Sequence, residues 1–451
     1  YFPYLFLMVH SNKKDNPIIS FIVPTYNQSK RHKRLLQNID ESCNLRYEVI
    51  LCDDCSDQSV GDYSKIYNVK VQTNQVNMGP GFCRNKGIKY ATGQFLFFMD
   101  DDDELCQKTF YKFESYIKGN QGADVILINF NDNNNDVMSN KIILEEFIKS
   151  GKTIENLKDK YIKKILDLHI IPLQCQAYLF NRKFLISNNI YFPNTYLAED
   201  QVFLTKAIIK SKIISYFSDG CYKYYTRIGS LKTSGGLKGV VNIYDSLSDL
   251  LSFIKGYKLK GMLEQEILQR SISRLVRLIA IRLVLLSIDD QNIFVRKIKN
   301  KRNIIVDNNF IKNQNDLFFL QEIENRSYTE NVCDIVNKYL FQGLIKKCKN
   351  SNIYIYCYGP LGRAVESYLY NNLKKYNISL KGFIDDGKTL NISTFNYELF
   401  TEDFVKNMSS SDKKSMVIIA NPQPHIADSI LNNLRKKNIK NELIINLSEW
   451  K

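Results

Sequence analysis

The sequence predicts an α/β protein made of two doubly wound units with a helical stretch between them. Three observations carry this reading. Short β-rich runs alternate with polar helical stretches as far as about residue 130, a helical pattern holds from about Val240 to Lys349, and strand-like runs return at Asn352. At 451 residues the chain is long for one domain. We divide it into an N-terminal extension at 1–16, a first α/β domain at 17–238, a helical region at 239–350 and a smaller α/β domain at 351–451.

Ile18 to Pro24 is a β-rich run stopped by proline, and Tyr47 to Cys52 is a second. The stretch between them, from about Lys30 to Asp40, reads as a polar helix. Val69–Gln72 and Gln94–Met99 supply two more strands, with a helix over about Gly81 to Tyr90 leading into the latter, and Ala123–Phe130 is a fifth. Such alternation calls for a mostly parallel sheet with helices on both faces, whose ligands sit beyond the carboxyl ends of the strands. Asp53-Asp54 and Asp100 to Asp103 follow directly after two of these strands. In the helical region Arg270, Arg274 and Arg277 share one stripe with Leu275, Leu278 and Ile279 beside it. A helix of this kind packs its apolar side inward or lies on an anionic membrane surface; we expect packing, with peripheral membrane contact as the alternative. Beyond Asn352, Ile353–Gly359, Leu380–Asp386, Met416–Asn421 and Leu443–Asn446 read as strands. Helices are expected from Gly362 to about Tyr376 and from about His425 to Lys437.

The net charge is +15, from 62 Lys+Arg against 47 Asp+Glu, which attracts polyanions such as nucleotide phosphates. There is no Arg/Gly-rich tail and no zinc-finger spacing, so nucleic acid is not an expected partner. The ten cysteines form no evident framework. Cys52 and Cys55 form the one C-x-x-C, and without a second ligand pair they read as reduced thiols of a cytoplasmic protein. The opening run Tyr1 to Val9 is apolar but about half the length that spans a bilayer. No Met stands at position 1, as in a fragment lacking its leader, and no transmembrane helix is expected.

The strongest chemical signal is Asp100-Asp101-Asp102-Asp103 behind Phe97-Phe98-Met99. Adjacent carboxylates at a strand end repel one another unless a cation resides there, and hard oxygen donors suit Mg²⁺ or Mn²⁺. A solvated acidic turn is the plainer alternative; a calcium loop would need the glycine and distal Glu that are missing. Asp54 is placed to accept the N3–H of uracil, or closes an Asx turn. Pro24-Thr25-Tyr26-Asn27 ends the first strand, where the Tyr26 ring can stack on a base. Gly79 and Gly81 allow close backbone approach, and Arg84 can pair with a phosphate or an aspartate.

Taken together, these elements resemble the inverting family 2 glycosyltransferases. The shared pattern is a V-P-x-Y-N strand end, a D-D-x-S-x-D turn, an N-x-G helix opening followed by R-N-x-G, and a DxD-type cluster, over about Pro17 to Gly235. The resemblance implies a GT-A fold, a UDP-sugar donor and a Mn²⁺ or Mg²⁺ ion. It implies that Pro24, Tyr26, Asn27, Asp54, Arg84 and Asp100 bind the nucleotide, and that Asp100 and Asp102 bind the metal. Its base is the Asp of an E-D pair opening a helix, which Glu199-Asp200 matches, so Asp200 is the expected catalytic base; on the residues alone an acidic helix cap is the alternative. Arg227 and Ser230 match the segment that closes over the donor. Attack opposite UDP implies inversion. The implied acceptor is a glycan, free or lipid-linked, in cell-surface polysaccharide assembly at the inner face of a membrane. His169 is the one histidine between the donor motifs and the base, and a structural imidazole is the expectation there.

The C-terminal unit looks like the Rossmann-like domains found beside some carbohydrate enzymes. It has Gly359 and Gly362 of a dinucleotide loop, without the full pattern, and Asp385-Asp386 after the next strand. NAD is not expected. A nucleotide-sugar oxidoreductase or epimerase, or a non-catalytic scaffold, are the alternative readings of the whole chain.

Overall fold

The computed structural model describes residues 16–61, 63, 64, 67–119, 122–132, 157–167, 173–225, 236–255, 257, 259, 261–299, 310–325, 332–356, 360–370, 373–384, 398–400, 415–420, 427, 430–432, 434, 435 and 444–447. The chain divides into two compact units, one formed by 1–164 with 172–230 and the other by 165–171 with 231–451.

In the first unit β1 (Ile19–Thr25), β2 (Tyr47–Asp53), β3 (Val69–Thr73) and β4 (Phe95–Phe98) pair in parallel in the order β3-β2-β1-β4. Phe95 to Phe98 are all buried, as the continuous apolar run of a strand covered on both faces requires. The sheet then changes direction. β7 (Tyr178–Asn181) is antiparallel to both β4 and β6 (Val125–Asp132), and β8 (Ile214–Tyr224) runs parallel to β6 and antiparallel to the two-residue β5 (Glu104–Leu105). The expectation of a mostly parallel sheet therefore holds for the first half and fails for the second. β7 has four residues, and β8 carries Ser215, Ser218, Asp219 and Lys223 among its apolar positions, so neither shows a long apolar run.

Helices pack on this sheet through specific side chains. α1 (Ser29–Ser42) buries Leu35, Leu36 and Ile39. α2 (Pro80–Tyr90) starts on proline after Gly79, whose φ of +90° suits glycine. Gly87 presses α2 onto β1: a Cβ there would lie 2.2 Å from Ile22 Cγ2. Gly81 likewise meets the carbonyl of Pro193, where a Cβ would lie 2.3 Å away. α3 (Phe113–Gly119), α4 (Lys158–Asp167) and α5 (Arg182–Ser187) follow, and Asn181 caps α5 by accepting from the backbone of Lys183 and Phe184. α6 (Glu199–Lys210) opens after Ala198, which holds a left-handed φ of 64°. The rings of Phe192 and Phe203 stack at 3.8 Å, and Phe98 meets both edge-on.

The second unit is helical from α7 (Gly236–Ile254) and α8 (Met262–Leu283) through α9 (Ile288–Lys299), α10 (Gln314–Asn325), α11 (Val332–Phe341) and α12 (Leu344–Cys348). Leu247, Leu251, Leu268, Leu275 and Phe294 are buried in its core. The arginine stripe lies on α8 and is bonded inward: Arg270 donates to the carbonyl of Leu166 and to Glu266, and Arg277 to the carbonyl of Leu447. Burial lowers the Arg274 pKa to about 10. These contacts fit packing, the favoured of the two sequence expectations. Among the described residues no helix is long and apolar enough to cross a membrane.

The same unit holds a second sheet, β9 (Asn352–Tyr356), β10 (Ser379–Ile384), β11 (Glu398–Phe400), β12 (Ser415–Ile419) and β13 (Ile444–Asn446). All its pairings are parallel, in the order β11-β10-β9-β12-β13 that doubly wound sheets adopt, with α13 (Pro360–Tyr370) and α14 (Leu373–Tyr376) after β9. Tyr354, Ile384, Ile419 and Leu434 form part of its core. Gly359 and Asp385-Asp386 lie outside the described residues.

Candidate active site

The carboxyl ends of β1, β2 and β4 carry the polar residues of the first unit, and each is held differently. Asp54, just past β2, is buried and anchors the loop ahead of α2. Oδ1 accepts from Asn74 Nδ2 at 2.9 Å and from the Met78 amide at 2.8 Å, and Oδ2 accepts from the Gly79 amide at 2.7 Å. The Cys83 thiol, pushed up by burial and then by the charge of Asp54, hydrogen-bonds the same carboxylate. Asp53 turns back to accept from the hydroxyl and amide of Ser56. Asn27, at a φ of 54°, ties β1 to the same turn: its amide donates to Ser56 Oγ at 2.8 Å, its Nδ2 donates to Asp57 at 3.1 Å, and its Oδ1 accepts from the Asp57 amide at 2.8 Å. Beside it Tyr26 is 46% exposed, an aromatic face open to a flat partner.

The acidic cluster follows β4. Asp100, Asp102 and Asp103 bring carboxylate oxygens within 4.8 Å of one another. Hard oxygen donors at this spacing fit a Mg²⁺ or Mn²⁺ ion. Asp103 is buried and supported from β8: Tyr222 donates to Oδ2 at 2.5 Å and the Tyr225 amide to Oδ1 at 2.9 Å. The Tyr222 hydroxyl in turn accepts from the Asp100 amide at 3.2 Å, and burial together with Asp103 pushes the phenol well above its ordinary range. Asp101 turns the other way and accepts from Thr25 Oγ1 at 2.7 Å. That hydroxyl also lies 2.8 Å from Nε2 of the buried His32, whose pKa is lowered by burial against the opposing charge of Asp53. Because Thr25 donates to Asp101, it accepts from His32, so the imidazole proton sits on Nε2.

One side chain links the cluster to α6. Arg84, on α2, is buried, with its side chain 4% exposed and its guanidinium 5.3 Å from the centre of the Phe192 ring. Its Nη2 donates to Asp100 Oδ1 at 3.0 Å, and its Nη1 donates to Glu199 at 3.1 Å and Asp200 Oδ1 at 2.8 Å. Burial pulls the Arg84 pKa down, but Asp200, Asp100 and Glu199 push it well above its usual value. The aspartate partner expected for Arg84 is present twice, in Asp100 and Asp200. Burial, and then the neighbouring charge of Asp200, raises Glu199 to about 7. The 3₁₀ turn Cys175–Ala177 closes the far side: Gln176 Nε2 donates to Asp100 Oδ2 at 2.7 Å, and Cys175 Sγ to Asp200 Oδ1 at 3.4 Å. Burial, then Asp200, keeps the Cys175 thiol protonated.

Of the residues expected from sequence, Arg84, Asp100 and Asp200 thus meet in one ion cluster, with Asp102 beside it. Pro24, Tyr26, Asn27 and Asp54 line the neighbouring strand ends. Arg227, Ser230 and His169 lie outside the described residues. Sequence reasoning missed Gln176, Cys175 and His32, which belong to no motif. It also saw no cysteine framework, whereas Cys106 and Cys221 are joined as a disulfide with Cα atoms 5.4 Å apart, beside the β5–β8 pairing. Cys52 and Cys55 are unpaired with each other, as expected.

With this geometry in hand, comparison with known proteins is decisive for the first unit. Residues 20–187 match the family described as Glycosyl transferase family 2. They are a family 2 glycosyltransferase domain. The chain is 32% identical over 216 residues to the poly(ribitol-phosphate) beta-N-acetylglucosaminyltransferase TarS of Staphylococcus aureus, covering 46% of this chain and 35% of TarS. It is 30% identical over 251 residues to the poly(ribitol-phosphate) beta-glucosyltransferase of Bacillus spizizenii, covering 54% of this chain and 37% of that relative. The alignments therefore span about a third of these curated relatives. A beta-1,3-glucosyltransferase of Escherichia coli, WfgD, named for UDP-Glc and a diphosphoundecaprenol-linked acceptor, is 25% identical over 244 residues, covering 52% of this chain and 88% of WfgD. Among solved structures, TarS residues 1–349 in complex with UDP-GlcNAc superpose with a TM-score of 0.54 at 21% identity, over 71% of this chain and 91% of that one. That likeness establishes the GT-A fold of the family 2 domain.

Proposed function

We propose that the protein is a metal-dependent, inverting glycosyltransferase that moves a sugar from a UDP-sugar to a glycan acceptor, lipid-linked or free, in cell-surface polysaccharide assembly. The observation that carries the reading is Arg84, whose guanidinium holds Asp100 and Asp200 at 3.0 and 2.8 Å and so brings the two carboxylates to which we give different roles into one cluster. Tyr26 stacks on uracil, and Asp54 accepts from the uracil N3–H. Asp100 and Asp102 hold the divalent cation, with Asp103 fixing the turn that presents them. Bound there, such an ion supplies Lewis-acid stabilisation of the diphosphate leaving group. Asp200 takes the proton of the attacking acceptor hydroxyl, which forms its bond to the anomeric carbon as the bond to UDP breaks on the opposite face. An α-linked donor then gives a β-linked product.

Arg84 keeps Asp200 in register with Asp100, and the Cys175 thiol orients the same carboxylate oxygen. Arg227 and Ser230 bind the diphosphate in this reading. The names of the relatives support a UDP-activated donor and a surface-polymer acceptor. The site of action we propose is the cytoplasmic face of the membrane, reached by peripheral contact. Screening UDP-sugars for UDP release with and without Mn²⁺ or Mg²⁺ tests the proposal. One donor should turn over, with cation stimulation that Asp102→Ala removes. UDP release that is indifferent to cations and to Asp102 contradicts it.

A further inference from the structure

We propose that Gln176 reads the transferred sugar, its side-chain carbonyl accepting a hydrogen bond from a ring substituent of the glycosyl unit; this rests on the reading of the site as a UDP-sugar cleft. Gln176 is 3% exposed and sits in the turn Cys175–Ala177. Its Nε2 donates to Asp100 Oδ2 at 2.7 Å, yet its Oε1 is buried and has no hydrogen-bond partner among the described residues. Reversing the amide would set its carbonyl oxygen against the carboxylate, two acceptors face to face, so the network fixes which end is which. Buried acceptors are nearly always satisfied in folded proteins, and one left over beside the Asp100–Arg84–Asp200 cluster marks where a donor group belongs.

The position says which donor group. Gln176 bonds Asp100, at the leaving-group end of the site. Its neighbour Cys175 bonds Asp200, at the acceptor end, with Sγ to Oδ1 at 3.4 Å. Arg84 bridges those carboxylates, so the sugar has to lie alongside the bridged pair, where its anomeric carbon can lose UDP on one side and gain the acceptor oxygen on the other. A carbonyl oxygen there selects for a hydroxyl or an acetamido N–H and against a hydrogen in that place. Sites built to hydrogen-bond a substrate group discriminate strongly against analogues that lack it.

Binding of UDP, UDP-glucose and UDP-N-acetylglucosamine to the full chain and to Gln176→Met separates this role from simple support of Asp100. Losing the bond to Asp100 can weaken both ligands, but UDP has no sugar, so the UDP-sugar should weaken about 10-fold more than UDP does, roughly the worth of one lost hydrogen bond. On the wild-type chain, one monodeoxy member of the donor series should lose a similar factor, and that member should lose nothing further on Gln176→Met. Equal weakening of UDP and UDP-sugar overturns the inference and leaves Gln176 as a positioning residue for Asp100. If the variant does not fold, the deoxy series on wild type decides alone, and a series with no sensitive hydroxyl or acetamido position overturns it. A wild-type chain that binds UDP but no UDP-sugar removes the inference, whereas one that binds neither refutes the nucleotide-sugar reading itself.

Discussion

Replacing Arg84 by Met keeps the aliphatic stem and removes the charge that three carboxylates share. Asp100, Glu199 and Asp200 lie 3.0, 3.1 and 2.8 Å from the guanidinium nitrogens, and the Arg84 side chain is 4% exposed, so water cannot take over its role. Breaking a buried ion cluster by deleting one partner costs about 3–5 kcal/mol, because the charges left behind stay desolvated. That cost should depend on pH. Glu199 already has a folded-state pKa raised from 4.5 to about 7 by burial and by Asp200, and losing Arg84 raises it further. A carboxylate raised in this way contributes stability that is fully present below its unfolded pKa and is lost as pH rises through its folded pKa. The wild-type chain should therefore lose stability between pH 4.5 and about 7, and Arg84→Met should lose it more steeply and up to a higher pH. Each unit of extra rise is worth about 1.4 kcal/mol, so the penalty should be smaller near pH 5 than near pH 8 by roughly 1–3 kcal/mol. Urea unfolding followed by circular dichroism at both pH values measures this directly. With two compact units, the loss should fall on one transition and leave the other in place. A penalty below about 1 kcal/mol, or one equal at both pH values, refutes the reasoning that the cluster is buried and mutually repulsive.

Two further changes probe the framework. Gly87→Ala places a Cβ 2.2 Å from Ile22 Cγ2 and should destabilise the first unit by about 1–3 kcal/mol; Ile22→Ala in the same chain should recover part of that loss, and strict additivity in thermal melts would show that the two residues do not press on each other. Alkylation of the denatured, unreduced chain followed by mass spectrometry should find Cys106 and Cys221 unlabelled and the seven cysteines that are free among the described residues labelled, whereas labels on Cys106 and Cys221 would show the pair as adjacent thiols.

Much of the first unit was legible because strand signals and chemistry coincide. Phe95 to Phe98 is a run that only a covered strand explains, and the four aspartates behind it mark its carboxyl end. Arg84 was visible through its motif, although its bonds to Glu199 and Asp200 depend on α2 and α6 meeting, which spacing alone does not give. The direction change at β7 was not legible. Tyr178–Asn181 is too short to show a period, and whether it runs parallel or antiparallel depends on partners far away in sequence. Gln176, Cys175 and His32 went unseen for a related reason: each is a single polar residue whose role comes from a contact 7 to 76 positions away. The arginines of α8 posed the opposite problem. Their stripe was plain, but an amphipathic pattern is the same for a helix facing a bilayer and one facing its own protein, and only the carbonyls of Leu166 and Leu447 distinguish them.

The central claim is that Asp200 acts on the acceptor while the residues around Asp54 and Asp100 hold the nucleotide. Turnover and UDP affinity measured together on Asp200→Asn test it most directly. The account predicts a fall in kcat of about 10²–10⁴-fold with UDP binding changed by no more than a few-fold. A variant that turns over at the wild-type rate, or one that loses UDP and activity in proportion, contradicts it.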